Sequence, residues 1–165
     1  MRETRRPAVA ASPCAATPDR QSAAVTVVDT RYLQSLTGYN ARRAALVIIE
    51  RFNEAMAVYG LRPVDFSVLS LVTHNPGITS RQLCTALNIL PPNLVGKIDG
   101  FVKNGWLQRQ PHPADGRAFG LSLTAEGTQL MRQAELTASQ LEDAATARLT
   151  GAERKTLLRL LQKIY

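Results

Sequence analysis

The stretch that decides the fold runs from Ile78 to Thr124 and reads ITSRQLCTALNILPPNLVGKIDGFVKNGWLQRQPHPADGRAFGLSLT. Two apolar patterns of helical period are followed by two runs in which apolar and polar residues alternate, which is the period of half-buried strands. The order helix, turn, helix, hairpin is typical of a winged helix-turn-helix. DNA is therefore the first partner to consider.

The first helix of this stretch is predicted to begin with a capping box. The Thr79 hydroxyl can accept a hydrogen bond from the amide of Gln82, while the Gln82 side chain reaches back to Thr79. Asn88 suits a left-handed residue after the last turn. We expect the start of this helix, with Thr79, Ser80 and Arg81, to lie at the DNA.

The second helix opens at Pro91 and would enter the major groove by its N-terminal end. Asn93 is the best candidate for base reading, because an asparagine can pair bidentately with adenine. It could instead simply cap the helix after Pro92. Gly96 permits close approach of the backbone, and Lys97 can reach a phosphate. The residues expected nearest the DNA are Pro92, Asn93, Gly96 and Lys97.

Two strands are predicted over residues 106–110 and 119–123, with the turn of the hairpin at Asp115-Gly116. Arg117 near the tip suits a wing that inserts a guanidinium into a narrow minor groove, although an arginine on a hairpin can also be merely solvated. Asp115 would repel phosphate, so we expect it to hold Arg117 or the turn backbone. The wing residues assigned to the DNA surface are Arg109, His112, Asp115 and Arg117.

Long amphipathic patterns flank this winged helix of residues 61–124. They cover residues 29–60, with an irregularity near Gly38, and residues 125–165. Their apolar surface exceeds what a small winged helix can cover, which predicts a dimerisation layer of N- and C-terminal helices. A two-fold homodimer would place two recognition helices about 34 Å apart on a palindromic site in double-stranded DNA. The fold class is thus mainly α with a small β-hairpin.

Composition agrees with one globular domain over residues 29–165. The chain has 165 residues and a net charge of +7, which favours a polyanionic partner. Residues 1–28 are rich in Ala, Pro, Ser and Arg and are expected to form a disordered tail. No apolar run reaches the length of a membrane span and no secretory signal is recognisable, so we expect a soluble, cytoplasmic protein that contacts no membrane.

Enzymatic and metal-binding functions are disfavoured. The sequence lacks a GxSxG motif, a phosphate loop, a GxGxxG motif and a carboxylate pair in an apolar context. With only His74 and His112, a Ser or Cys nucleophile would lack an obvious base. The two cysteines, Cys14 and Cys84, stand far apart in the sequence, which excludes a CxxC zinc cluster. We expect no cofactor and no metal.

These motifs together resemble the MarR family of bacterial transcription regulators. The resemblance covers about Leu33 to Tyr165 and depends on the order of four short motifs. It implies a dimer built from the terminal helices, and a repressor that a small ligand releases from DNA. The recognition helix departs from the family at Val95 and Gly96, and the wing departs at Asp115-Gly116-Arg117, so the operator sequence stays open. The four motifs are Leu61-Arg62-Pro63, Ile78 to Leu83, Gly105-Trp106-Leu107 and Leu123 to Gly127.

In this family an effector often lodges between the dimerisation helices and the winged helix, which implies an aromatic or heteroaromatic carboxylate or a phenol as the ligand here. Arg43 could pair with its carboxylate, or could be a surface charge. Candidate pocket residues are Tyr39, Asn40, Arg43, Phe66 and His74. Three alternatives remain: a repressor that senses oxidants through a cysteine, a module that binds DNA without sequence preference, and one that binds protein. Cys84 is expected to be a small buried hydrophobe.

Overall fold

The structure is a computed structural model that describes residues 27–112 and 115–165; the side chains of His112 and of residues 115–118 lie outside the description. The fold is mainly helical with a small antiparallel sheet, as predicted. The helices are α1 (Arg31–Gln34), α2 (Thr37–Met56), α3 (Pro63–His74), α4 (Ser80–Leu87), α5 (Pro91–Lys103), α6 (Ala125–Ala145) and α7 (Gly151–Leu161), with a 3-10 turn at Ala57–Tyr59. The strands are β1 (Ile78–Thr79), β2 (Leu107–His112) and β3 (Asp115–Leu123).

The irregularity predicted near Gly38 lies earlier, between α1 and α2. The Asn40 side-chain amide donates to the carbonyl oxygens of Gln34 and Leu36, each at 2.8 Å. The bond to Gln34 satisfies a carbonyl that the end of α1 leaves without a helical partner, whereas the Leu36 carbonyl also accepts from the Asn40 backbone amide at 3.2 Å. The chain therefore breaks at Ser35 and Leu36, and Gly38 lies inside α2.

The helix-turn-helix forms where the sequence predicts it. The Thr79 hydroxyl accepts from the Gln82 amide at 3.3 Å, and the Gln82 side chain accepts from the Thr79 amide at 2.8 Å, which confirms the capping box of α4. Asn88 ends α4 in the left-handed region with φ of 50°. Because Asn tolerates this conformation, the chain can turn sharply into α5, which begins at Pro91 as predicted.

The sheet has the order β1-β3-β2, so the hairpin gains a strand that the sequence analysis missed. Ile78 pairs with Leu121. The close approach requires Gly120, because a Cβ there would lie 2.8 Å from the carbonyl oxygen of Gly77. The turn predicted at Asp115-Gly116 is wrong: the backbone of Asp115 pairs with that of His112, which places Asp115 and Gly116 in β3. Residues 113–114, between the two strands, lie outside the described residues.

One hydrophobic core joins the winged helix to α6. It draws fully buried side chains from α2, α3, α4, α5, β3 and α6, so the recognition helix and the wing rest on the same packed centre. Cys84 is half-buried and packs against this core, as expected of a small hydrophobe, whereas Cys14 lies outside the described residues. The largest fully buried side chains are Met56, Leu69, Leu83, Leu94, Leu121 and Met131.

None of the residues of the C-terminal helix α7 is buried, a feature that it shares with the four-residue helix α1. Thr150 and Glu153 form the capping box that the sequence predicts. The hydrogen bond that the Thr150 amide donates to the Glu153 carboxylate lowers the pKa of that carboxyl. The rest of the helix presents a row of exposed apolar side chains. They are Leu157, Leu158, Leu160 and Leu161, followed by Ile164 just beyond its end.

Two absences hold for the described residues, 27–112 and 115–165. No single helix there is long and apolar enough to cross a membrane; one pair, Thr37–Tyr59 with Pro63–His74, passes on length and composition but is bent by 67°. Among the same residues, no group of three or more His, Cys, Asp or Glu side chains is placed to hold a metal ion.

Candidate nucleic-acid interface

The recognition helix α5 has an apolar inner side and an exposed outer side. Leu94, Ile98 and Phe101 are buried against α4 and the sheet at helical spacing. The N-terminal half of the outer side is exposed, which is the half that enters the major groove in a helix-turn-helix. The exposed residues of α5 are Pro91, Pro92, Asn93, Val95, Gly96, Asp99 and Lys103.

Asn93 does not cap the helix. The N-cap is Leu90, and no side chain closes the first turn. Asn93 occupies the third helical position, where its backbone amide donates to the Leu90 carbonyl at 3.0 Å. Its side chain is exposed. The capping alternative for Asn93 is thus wrong, and base reading stays a prediction for this residue.

Lys97 does not extend freely toward a phosphate. Its Nζ lies 2.6 Å from Oδ1 of Asp65 at the start of α3, and the two side chains retain 32% and 14% of their exposure. The other oxygen of Asp65 accepts from the Arg62 amide at 3.2 Å. A half-buried pair with a second hydrogen bond is held more firmly than a surface pair. Lys97 therefore ties the recognition helix to α3.

We expect Lys97→Met to leave the salt dependence of DNA binding unchanged. A lysine paired with Asp65 releases no counterion on binding, so the slope of log K against log salt should not change. Leaving Asp65 without its partner should lower the free energy of unfolding by about 1–3 kcal/mol. Fluorescence anisotropy at several salt concentrations measures the slope. A slope smaller by about 1 would instead show that Lys97 contacts a phosphate.

Arg109 connects the wing to the recognition helix. Its Nη2 donates to the Asp99 carboxylate, and both side chains stay about half exposed. An exposed pair of this kind adds little stability, but it fixes where the guanidinium points. The contact between Arg109 and DNA stays a prediction. In the absence of DNA, the Arg109 guanidinium lies beside α5.

The remaining predicted DNA residues fall into two groups. Thr79 is partly buried and ends β1, while Ser80 and Arg81 form the exposed first turn of α4. The side chains of His112, Asp115 and Arg117, including the expected hold of Asp115 on Arg117, lie outside the described part of the wing.

The predicted effector residues are divided between two places. Phe66 and His74 line one cavity of about 410 Å³ between α3 and α6. Phe52 packs edge-on against Phe66, with ring centroids 5.5 Å apart. Arg43 precedes Phe52 by nine residues on the same helix, which is about 14 Å along the axis. Within one chain, the cavity of Phe66 and His74 therefore does not include Tyr39, Asn40 or Arg43. The Asn40 side chain instead forms a hydrogen bond at the break between α1 and α2.

Residues of α6 and α7 that the sequence analysis did not select complete this cavity. Glu135 stands at its centre: its Oε1 lies 3.0 Å from His74 Nε2 and accepts from the Ser70 hydroxyl at 3.0 Å. Arg154 of α7 pairs with Asp143 of α6 at its edge. The available signal was a row of residues one turn apart on α3, in which the polar Ser70 and His74 follow Phe66.

A helix-turn-helix with an exposed recognition helix, followed by a hairpin on the same core, defines a winged-helix DNA-binding protein. A family model described as the MarR family matches residues 59–118. The chain is 30% identical over 113 residues to the multiple antibiotic resistance protein MarR of Escherichia coli strain K12, covering 68% of this chain and 78% of that protein. It belongs to the MarR family of transcription regulators, which confirms the resemblance seen in the sequence.

Two solved structures extend the comparison. The transcriptional repressor CouR bound to a 23-mer DNA duplex has a TM-score of 0.79 and 34% identity, over 84% of this chain and 99% of that one. CouR bound to p-coumaroyl-CoA has a TM-score of 0.73 and 33% identity, over 84% of this chain and 97% of that one. The fold of this chain is therefore similar to that of a repressor seen with DNA and with a small ligand.

Proposed function

We propose that the protein is a dimeric, sequence-specific repressor that acts in the cytoplasm, on the nucleoid, and binds a palindromic operator. The observation that carries this proposal is the exposed N-terminal half of α5, presented by a winged helix whose inner side is packed into the core. The net charge of +7 favours association with the phosphate backbone. The similarity to CouR, which was solved on a DNA duplex, supports the same interface.

The dimer is inferred from the apolar surface that one chain leaves exposed. The four leucines of α7 keep between 38% and 50% of their exposure, and Leu46, Val47 and Ile49 of α2 keep between 43% and 47%. Single exposed apolar residues are ordinary, but a row on a helix with no buried residue indicates a partner surface. A second copy of the chain is the simplest partner, because a two-fold axis then doubles the recognition helices.

A titration tests the proposed function directly. The purified protein is added to a labelled duplex from the region upstream of its own gene and to a scrambled duplex, each at two salt concentrations. We expect at least a thousandfold preference for the specific duplex. Equal affinity for both duplexes with equal salt slopes would indicate binding without sequence preference, and no binding to either would point to a protein partner.

Two substitutions should separate base reading from backbone binding. Asn93→Ala is expected to reduce discrimination at one base pair by about 1–3 kcal/mol, because a bidentate contact to a base is lost. Arg117→Ala is expected to weaken binding to all sequences alike. Asn104→Ala, at the opposite end of α5, is the control and should change neither. The same loss on operator and random DNA for Asn93→Ala would refute its base-reading role.

The proposed effector is a small aromatic or heteroaromatic acid or a phenol, bound in the cavity of Phe66 and His74. The similarity to CouR, solved with the phenolic acyl compound p-coumaroyl-CoA, supports this class. Glu135, Glu142 and Asp143 bring carboxylates to the cavity, so a phenol that donates to Glu135 fits better than a carboxylate. Release of DNA then requires that the ligand bind better to the conformation that misfits DNA.

Thermal unfolding with a panel of phenols and aromatic acids should identify a stabilising ligand. A ligand at 100 times its Kd adds about 2.7 kcal/mol to stability. Glu135→Gln should reduce this stabilisation for phenols, because the carboxylate acceptor becomes a weaker, neutral one. Glu54→Gln, on the exposed part of α2, is the matched control. If no compound of the panel stabilises the protein, the proposed effector class is wrong.

A further inference from the structure

We propose that Val95 contacts the methyl group of a thymine and that each operator half-site is therefore centred on A·T pairs. This inference rests on the proposed function, because it assigns the bases that the recognition helix reads. It depends on the exposed position of Val95, on the ion pairs that engage Lys97 and Asp99, and on the lack of charged side chains at Pro92 and Gly96.

Val95 is 52% exposed in the second turn of α5. A β-branched residue has low helix propensity, and about half of this side chain stays exposed among the described residues. Packing within the subunit thus leaves apolar surface of the valine free to contact a partner. Its location on the end of α5 that enters the major groove makes a base the available apolar partner, since thymine alone presents a methyl group there.

Guanine is the base that this helix is least able to read. Its usual partner in the major groove is an Arg or Lys that donates to O6 and N7. Along residues 91–103 the cationic side chains are Lys97 and Lys103. Lys97 is held by Asp65 at 2.6 Å, and Lys103 lies in the last turn, away from the inserted end.

Residues 91–96, around Val95, carry no charged side chain. Pro92 presents an apolar ring and Gly96 presents no side chain, and a Cβ added at Gly96 would meet nothing within 4 Å. Asp99 lies one turn after Val95 on the same side of the helix, and its carboxylate is engaged by Arg109 rather than directed at a cytosine amino group. Asn93, two residues before Val95, lies at the other edge of the exposed face and can pair with adenine. Apolar residues and an asparagine on one exposed face are complementary to the methyl groups and adenine edges of A·T pairs.

The experiment begins with selection of binding sequences from a random duplex library by the full chain. Each thymine of the enriched half-site is then replaced, one at a time, by deoxyuridine, which lacks only the methyl group. Val95→Ala removes the proposed contact and should improve helix propensity, so the variant is expected to fold. Val58→Ala is the matched control, since Val58 is 81% exposed and lies outside the helix-turn-helix.

We expect one replacement to lower the affinity of the unaltered protein about fourfold, which corresponds to the ~0.8 kcal/mol of one buried methyl group. For Val95→Ala the same replacement should change affinity by less than about 1.5-fold, whereas Val58→Ala should behave like the unaltered protein. Enriched half-sites centred on G·C pairs, or an equal loss in Val95→Ala, would overturn the inference and leave the proposed function standing. A selection that enriches no sequence would overturn both.

Discussion

Leu160→Glu is expected to convert the proposed dimer into monomers and to lower operator affinity at least a hundredfold. Leu160 is 48% exposed and lines, with Leu157, an apolar groove of about 380 Å³ along α7. A carboxylate at the centre of a subunit interface would be buried without a partner, which costs several kcal/mol per ion. The monomer would then contact one half-site with one recognition helix, and the gain from simultaneous binding, about 10²–10⁴, would be lost.

Sedimentation velocity measures the oligomeric state, and fluorescence anisotropy measures affinity for the palindromic duplex. Gln162→Glu adds the same charge just after α7 and is the control, because Gln162 follows the helix rather than its leucine row. It should remain dimeric. A Leu160→Glu variant that stays dimeric and binds the operator normally would place the dimer interface on another surface, with α2 as the next one to test.

Features set by neighbouring residues were predictable from the sequence. Each capping box, at Thr79 and at Thr150, depends on two side chains three residues apart. The left-handed conformation of Asn88 depends on the residue type at the end of α4. Local chemistry decides them, so a pattern in the sequence is sufficient. The helix-turn-helix is a succession of such features, which is why its position was predicted closely.

Features set by distant residues were not predictable. Strand β1 has only two residues, too few for an alternating pattern, and exists because β3 pairs with it. The sequence predicts a phosphate contact for Lys97 but gives no sign of its partner Asp65, which the fold places beside it from 32 positions earlier in the chain. The cavity between α3 and α6 also depends on residues that are distant in the sequence: Glu135 faces His74, which lies 61 positions earlier in the chain. Periodicity identifies the buried face of a helix but not the partner of a particular charge.

Gly127→Ala is expected to lower the free energy of unfolding by about 3 kcal/mol or more, the largest stability effect of the substitutions considered. Gly127 is buried in the first turn of α6, and a Cβ there would lie 2.1 Å from the carbonyl oxygen of Trp106. That distance is far below van der Waals contact, and the obstructing atom belongs to the backbone rather than to a flexible side chain. One of the two segments must move.

Neither segment can move cheaply, because hydrogen bonds join them on both sides of the contact. The Trp106 carbonyl accepts from the Thr124 amide at 3.0 Å, and the Thr124 hydroxyl accepts from the Gly127 amide at 3.0 Å while donating to the Gly105 carbonyl at 2.5 Å. Moving α6 away breaks the cap of the helix, and moving Trp106 displaces the start of β2. Either movement also shifts the wing relative to α5.

Urea unfolding at one fixed protein concentration measures the effect, since a dimer's stability depends on concentration. Gly100→Ala is the matched control: Gly100 is also helical, but an added Cβ meets nothing within 4 Å, so this change should be neutral or stabilise by up to about 1 kcal/mol. Equal stability of the two variants would mean that the wing and α6 do not meet at Trp106. If Gly127→Ala alone is destabilised and also binds operator weakly, the junction after the wing both supports the core and sets the wing's position on DNA.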